Sequence, residues 1–397
     1  MTDDVAEAAY WLCSLGAVAV SFLYFRNLGD ITQAVFKVTR SHLLFAVRHE
    51  QTLILVSVGL LALGVSLHLF ADAGTTLSTG LLVGVVGLLL GFTWTWIHLG
   101  LRGQQRGARY FSIPDASRRV RPEDSVLVVP VGDRAFAYPD AQIRRSHLAG
   151  LPEGGQAGNV LMTYCALSHL GLAYEAEIEG EPVRLDVIGQ YGNNLIMKER
   201  QGGRPVQHIY GQCEDRASGM TRRPTFRMSF RGFCQRFPEG EVYMNPIAAF
   251  RENPFLCVFD NVMEAIMLWG VVPHHTNESL LFETLDVEDD RLPRKALVWG
   301  IAINGESACF TEAWVREQGG RVDTRIGGRG VSLILDDAEE SLGAFYSSSG
   351  ARVADFFPGL YWFVWVNFFP DTLLNETDEM HERTASGNQP VASTGLR

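Results

Sequence analysis

Three long apolar segments without an acidic or basic residue constrain this chain more than any other feature of its sequence. They cover residues 8–25, 52–71 and 77–99. Each is close to the ~20 residues that an α-helix needs to cross the core of a bilayer. A cleaved signal peptide is the alternative for the first segment, but the chain start is acidic and no small-residue cleavage site follows. The sequence therefore predicts a membrane anchor of three transmembrane helices within residues 1–101.

The basic residues that flank these segments predict the orientation of the anchor. The N-terminus and residues 72–76 have none, whereas the other flanks carry nine. These nine are Arg26, Lys37, Arg40 and Arg48, then Arg102, Arg106, Arg109, Arg118 and Arg119. Because basic loops stay in the cytoplasm, we expect a plasma (inner) membrane protein with its N-terminus outside and its large C-terminal domain in the cytoplasm.

The overall composition is typical of a chain that combines a membrane-embedded part with a globular part. Its residues are 47% hydrophobic and its mean hydropathy is +0.04. A net charge of -11 argues against a nucleic-acid partner, because binding phosphates requires a basic face. The basic run at residues 102–122 instead indicates a juxtamembrane linker next to anionic lipid. The lipid bilayer is therefore the partner that composition predicts.

Glycines recur along the third apolar segment at spacings of four, three and four residues. They are Gly80, Gly84, Gly87 and Gly91. This spacing places them in one stripe along a helix, where small residues let another helix approach closely. Two partners are open: the first two helices of this chain, or another membrane subunit.

The rest of the chain contains an internal repeat, seen when the sequence is shifted by 172 positions. Nine residues of the unit at 126–174 then meet identical residues of the unit at 298–346 without a gap. Strands are predicted at about 126–138, 158–165, 297–310 and 330–336. The predicted fold class is α+β, mainly β: a two-lobed soluble domain at residues 123–372, preceded by the three transmembrane helices.

Two further segments complete the predicted organisation. Residues 356–370 are uncharged and aromatic but too short to cross a bilayer, so we expect a buried core element. Residues 373–397 are polar and predict a disordered tail. His274 and His275 lie beside proline, threonine and asparagine, which favours a polar surface loop.

The strand predicted at 158–165 ends with a thiol, and an imidazole follows it four residues later. Cys165 and His169, with His147 and Met197, form a soft ligand set that suits copper first and zinc next. The repeat replaces three of them: Gly319, Asp337 and Ser341 stand opposite His147, Cys165 and His169. The repeated fold therefore does not require the thiol or the imidazoles.

The stretch around Cys165 resembles a bacterial and archaeal family known as domain of unknown function 3179. Its members usually read Thr-Tyr-Cys-Pro-Leu-Cys where this chain reads Thr-Tyr-Cys-Ala-Leu-Ser, ending at Ser168. Other blocks similar to the family lie at 132–139, 193–200, 230–243, 290–300 and 361–371. The resemblance covers about residues 123–372 but implies no activity, since none is established for the family. It also implies export of the domain, against the charge-based orientation.

Three functions remain open from the sequence. The favoured one is a membrane-anchored accessory or interaction subunit of a larger membrane complex, without catalytic activity of its own. It is favoured because Ser168 replaces the family's second cysteine, which removes the dithiol pair. The second is a copper- or zinc-binding or redox protein that uses Cys165 and His169. The third is a Cys-His nucleophilic enzyme, with His147 or His169 as base and Asn193 or Asn194 as orienter.

Overall fold

The computed structural model describes residues 3–29, 31–101, 108–150, 160–213, 217–337 and 340–377. Part of the predicted basic linker, residues 102–107, lies outside the described residues. Most of the predicted tail, residues 378–397, does so as well.

Long helices dominate the first hundred residues, and short ones follow. In the described parts of the chain the α-helices are α1 (Asp3–Leu28), α2 (Arg40–Arg48), α3 (Glu50–Ala71), α4 (Thr76–Trp94), α5 (Ile113–Ala116), α6 (Asp140–Ser146), α7 (Phe230–Arg236), α8 (Pro254–Thr276), α9 (Glu312–Glu317) and α10 (Trp362–Phe368). A 3-10 turn covers Ile31–Ala34, and a π-helical segment, Thr95–Leu101, continues α4.

Four of these helices are long and apolar enough to cross a membrane. They are α1, α3, α4 with its continuation to Leu101, and α8. The first three coincide with the three apolar segments of the sequence. The fourth, α8, lies inside the domain expected to be soluble, and the sequence analysis does not single it out.

The remaining elements are strands, most of them short. They are β1 (Arg109–Ser112), β2 (Ser125–Val131), β3 (Arg134–Pro139), β4 (Leu148–Gly150), β5 (Val160–Cys165), β6 (Leu170–Glu175), β7 (Glu177–Ile178), β8 (Glu181–Pro182), β9 (Leu185–Tyr191), β10 (Asn194–Glu199), β11 (Pro205–Gln207), β12 (Gln212–Cys213), β13 (Arg222–Arg223), β14 (Phe226–Ser229), β15 (Glu241–Met244), β16 (Leu297–Ile303), β17 (Glu306–Phe310), β18 (Arg321–Ile326), β19 (Arg329–Asp336), β20 (Ser341–Tyr346), β21 (Phe356–Tyr361) and β22 (Leu373–Leu374).

These strands form several separate sheets, and no closed barrel is found in the described residues. The orders are β1-β15-β3-β2-β14, β12-β11-β10-β9, β13-β6-β5-β4, β21-β16-β17-β22, β18-β19-β20 and β7-β8. Together with the helices they make a mixed α/β architecture, which has more helix than the mainly β prediction.

Two segments have the same succession of elements and the same strand orders. We call residues 125–244 the first lobe and residues 297–374 the second lobe. The order β15-β3-β2-β14 of the first lobe corresponds to β22-β17-β16-β21 of the second. In both sheets the outer strand, β15 or β22, runs parallel to its neighbour. The sheet β6-β5-β4 likewise corresponds to β20-β19-β18.

The first lobe also contains an inserted sheet that the second lobe does not have. This insertion, residues 177–223, carries β7 to β13. It packs against the N-terminal helices, which we call the anchor (residues 3–101): Gln190 Nε2 donates to Gln33 Oε1 at 2.6 Å, and Lys198 Nζ donates to the Val47 carbonyl at 3.2 Å. The insertion therefore joins the two-lobed domain to the anchor.

A buried carboxylate at the start of α3 reinforces this junction. Glu50 Oε1 accepts hydrogen bonds from the Tyr24 hydroxyl at 3.0 Å and from His98 Nε2 at 2.7 Å. Lys198 Nζ of the insertion lies 3.6 Å from Glu50 Oε2. Because one buried carboxylate contacts three elements, it fixes α1, α3 and the end of α4 to the domain.

Residues 356–368 form β21 and α10, and residues 356–366 of this stretch are buried, among them Trp362 and Trp365. The chain then stays in the fold beyond residue 372. Leu373–Leu374 pairs with β17, and Asn375 Oδ1 accepts a hydrogen bond from the Thr311 amide at 2.9 Å. The predicted start of the tail at 373 is therefore a few residues too early.

Candidate functional site

A cavity of about 220 Å³ lies where the anchor, α8 and the first lobe meet. Its lining includes Trp96 and Leu101 at the end of the third membrane helix, and several residues of α8. Cys165 and His147 from the first lobe also line it, with apolar neighbours on most sides. The structure thus brings two of the four predicted ligands to one mainly apolar cavity.

Cys165 is the last residue of β5 and is fully buried. Its thiol donates a hydrogen bond to the Asn193 carbonyl at 3.4 Å. Burial raises the pKa of the thiol above its ordinary value, although hydrogen bonds from Ser168 oppose the shift. At neutral pH the sulfur is therefore a protonated hydrogen-bond donor, not the thiolate that a nucleophile or metal ligand requires.

His147 follows α6 in a left-handed backbone conformation, with φ of 57°. Its Nδ1 lies 3.1 Å from the Tyr164 carbonyl, which can only accept, so Nδ1 carries a proton. Burial lowers the pKa of His147 to about 4. The ring is therefore neutral at pH 7, and Nε2 is its unprotonated nitrogen.

His169 is oriented away from this pair, towards a separate group of charges. Its Nε2 lies 3.3 Å from Asp140 Oδ2, and its Nδ1 lies 3.4 Å from the Gly359 carbonyl. Arg227 also bonds the Asp140 carboxylate. Burial by itself would raise the pKa of Asp140, but Arg227 and His169 outweigh burial and lower it.

This group of charges, which we call the Asp140 cluster, is not apparent from the sequence. It comprises Asp140, His169, Arg227, His275 and Tyr361. The His275 ring bonds the Tyr361 hydroxyl, and the His169 ring centroid lies 5.7 Å from that of Tyr361. Two of the blocks that resemble the family border this cluster in sequence. The block 132–139 ends just before Asp140, and the block 361–371 begins at Tyr361, so these two block ends were the sequence signal for the cluster.

The placement of His274 and His275 corrects a prediction. They end α8 instead of forming a surface loop, and His274 is buried. The Leu281 amide donates to His274 Nδ1 at 3.1 Å, so the proton is on Nε2, which donates to the Leu167 carbonyl at 2.8 Å. His274 therefore holds the end of α8 against the first lobe.

Met197, the fourth predicted ligand, is fully buried in β10 of the insertion, within the main hydrophobic core. Across the described residues, no group of three or more His, Cys, Asp and Glu side chains is placed to hold a metal ion. The four predicted ligands, His147, Cys165, His169 and Met197, are thus distributed over a cavity wall, the Asp140 cluster and the core.

The four glycines of α4 lie on its outer surface. A Cβ built on Gly80, Gly84, Gly87 or Gly91 meets no described atom within 4 Å. The anchor packs through other glycines: a Cβ on Gly64 of α3 would lie 2.8 Å from Ser14 Oγ of α1. Two partners were possible for the stripe, the first two helices of this chain or another subunit. In the described residues, the other helices of this chain do not pack against it.

Comparison with known proteins gives one match. A family described as "Protein of unknown function (DUF3179)" matches residues 106–357. The match begins earlier and ends earlier than the span of about 123–372 that the sequence blocks indicate. No curated protein and no solved structure matches the chain.

Proposed function

The chain belongs to the DUF3179 family, whose description names no activity, and we propose from its geometry that it is a membrane-anchored accessory or interaction subunit. It binds other membrane subunits through α4 and has no catalytic activity of its own. The observation that carries the proposal is the open glycine stripe at Gly80, Gly84, Gly87 and Gly91. Lipid gives apolar helices no reason to associate, so close approach over small residues is a main source of affinity between them.

The rest of α4 supports the same interpretation. Between Thr76 and Trp94 only Val86 and Thr93 are buried. Most of the helix surface, including the whole stripe, is therefore available to a second helix. Neighbouring leucines such as Leu81 and Leu88 are exposed and flank the groove that the glycines leave.

The test is purification in mild detergent of the protein with Gly84→Leu and Gly87→Leu. We expect the wild-type protein to retain one or more membrane subunits and the double variant to lose them, because leucine side chains fill the groove. Gly59→Leu is the matched control, since Gly59 of α3 is also open to its surroundings. Gly64→Leu is a second control: it disrupts the packing of α3 against α1 and shows how subunit retention changes when the anchor itself is destabilised. Retention of the same subunits by the double variant would contradict the proposal.

We further propose that the domain is cytoplasmic and that the N-terminus is outside. The nine basic residues flanking the apolar segments on one side support this orientation. An alkaline phosphatase fused after Arg121 should be inactive, because the enzyme requires export for activity. A fully active fusion would place the domain outside, as the family resemblance implies.

We also infer that the two lobes are copies of one repeat. Their matching strand orders and the nine identities at an offset of 172 residues support this inference.

A further inference from the structure

Helix α8 has one buried face and one exposed apolar face. The buried residues are Asp260, Met263, Met267, Gly270, Val271 and His274. They recur every three or four residues, which defines one side of a helix. On the other side Phe255, Val258, Val262 and Trp269 are 51% to 75% exposed.

Polar contacts hold the buried face to the first lobe along much of the helix. Glu264 Oε1 accepts from Arg144 Nη2 at 2.5 Å, and Glu264 Oε2 lies 3.5 Å from Arg145 Nε. Ten residues later His274 donates to the Leu167 carbonyl at 2.8 Å. This distance along the helix is about 15 Å. Ionised groups are costly inside a bilayer, and Glu264 pairs with Arg144 and Arg145 midway along the helix, so we take α8 to lie along the domain without crossing the bilayer.

The position of α8 places its exposed face at the membrane surface. Met263 packs onto Gly100, in the segment that continues the third membrane helix. The apolar face of α8 is therefore continuous with the lipid-facing surface of the anchor at its domain-side end. An amphipathic helix with an exposed tryptophan is typical of the bilayer interface.

The cavity behind α8 has a mouth and a closed end. Val35 and Trp269 are 79% and 75% exposed and mark the mouth. Cys165 and Leu195 are buried and mark the closed end. Since the mouth lies between two apolar residues at the level of the interface, it opens to lipid.

Most polar groups of the lining are already paired within the protein, whereas Trp96 Nε1 is a buried donor that has no partner among the described residues. The Cys165 thiol donates to the Asn193 carbonyl, and Gln190 bonds Gln33 and the Asn193 amide. Neutral His147 adds no charge. Groups that have their hydrogen bonds do not need a polar ligand, so the wall presents an apolar surface.

We propose that this cavity binds one apolar chain of a bilayer lipid, which enters between Val35 and Trp269 and ends against Cys165 and Leu195. A volume of about 220 Å³ accommodates the terminal part of a chain, and the apolar wall leaves the headgroup at the interface. The proposal is independent of the accessory-subunit role, because it uses a different surface from the glycine stripe.

The experiment uses the full chain in nanodiscs of phosphatidylcholine that carries a diazirine in the middle of one acyl chain. After photolysis, mass spectrometry locates the adducts. We expect adducts on Val187, Leu195 or Leu167 of the domain, in addition to those on α3 and α4. Adducts confined to the membrane helices would overturn the proposal.

A mouth-filling variant makes the result specific. Ala34→Trp, at an exposed mouth position, should lower the domain adducts by about tenfold relative to those on α3, equivalent to ~1.4 kcal/mol of binding. Val35→Trp is a second variant with the same expected effect. Val258→Trp, on the exposed face of α8 but outside the cavity, is the matched control and should leave the adducts unchanged. Unchanged domain adducts in both mouth variants would also overturn the proposal.

Discussion

The two lobes share their strand orders, but only the first carries an insertion, and this insertion contacts the N-terminal helices. The insertion at 177–223 gives the first lobe its contacts with the anchor, through Gln190 and Lys198. The second lobe has a core cluster of its own, formed by residues from 299 to 373. Its remaining buried residues, Phe357 and Trp365 among them, belong to the main core, which also includes residues of the N-terminal helices such as Leu43. One framework therefore supports two roles: the first lobe builds the cavity and the membrane junction, and the second completes the fold.

A residue just beyond the short helix of each lobe, at equivalent positions of the repeat, shows the same difference. Gly319 in the second lobe and His147 in the first both have positive φ, 86° and 57°. Glycine adopts this conformation freely, whereas another residue is disfavoured there by about 1–2 kcal/mol. Strain at a side chain that lines a cavity points to a role for that side chain.

The largest expected difference between the lobes concerns their arginines. Arg227→Met leaves the buried Asp140 carboxylate without its main partner and should lower the free energy of unfolding by ~3–5 kcal/mol. Arg316→Met in the second lobe removes exposed pairs with Glu312 and Asp337 and should cost at most ~1 kcal/mol. Thermal unfolding of the purified variants measures both. Equal losses would remove the distinction between the lobes.

Part of the pH dependence of stability should come from His147 in the first lobe. The pKa of His147 is about 4 in the folded protein because of burial, against an ordinary value of 6.5. Above pH 6.5 neither state binds the proton; as pH falls towards 4, only the unfolded state does, so folding loses stability. Over this window the loss is about 3 kcal/mol for this residue.

The variant His147→Asn tests this effect, since asparagine tolerates the left-handed conformation. Its unfolding temperature should fall less steeply than that of the wild type between pH 6.5 and 4. Three other histidines remain in both proteins and keep part of the dependence, because burial lowers the pKa of His208 to about 3 and those of His274 and His275 to about 4. Parallel curves for the two proteins would show that His147 is not buried in its neutral form.

The smallest expected difference is at Cys165 and its counterpart Asp337. Cys165→Ala removes a fully buried thiol and its bond to Asn193, and should cost ~1–2 kcal/mol. Asp337→Ala changes an exposed side chain and should stay within ~0.5 kcal/mol of the wild type. Chemical denaturation can resolve both values. A Cys165→Ala variant with the same free energy of unfolding as the wild type would mean that the thiol is not part of the packed core.

The sequence predicted the elements better than their contacts. Charge-free runs located α1, α3 and α4, because membrane helices must be apolar along their whole length. The strand expected at about 126–138 is a hairpin, β2 and β3, which turns at Gly132 with φ of 59°. No local pattern could place Asp140 beside Arg227 and Tyr361, since these contacts depend on how distant strands pack.

Helix α8 was missed for an identifiable physical reason. Asp260 and Glu264 interrupt its apolar run, so a search for charge-free segments passes over it. Both acidic residues lie on the side of the helix that faces the domain, where Glu264 pairs with Arg144 and Arg145. The spacing of three and four residues between the buried positions was the signal that could have revealed an amphipathic helix.

The claim that α8, and not the second lobe, lies at the bilayer surface can be tested directly. A nitroxide side chain is placed at Val262 of α8 or at Glu317 of α9, both exposed positions, in protein reconstituted into lipid bilayers. The account predicts that the label at Val262 collides more with oxygen, which concentrates in lipid, and the label at Glu317 more with a water-soluble nickel complex. A label at Val262 that favours the nickel complex as strongly as the label at Glu317 would contradict it.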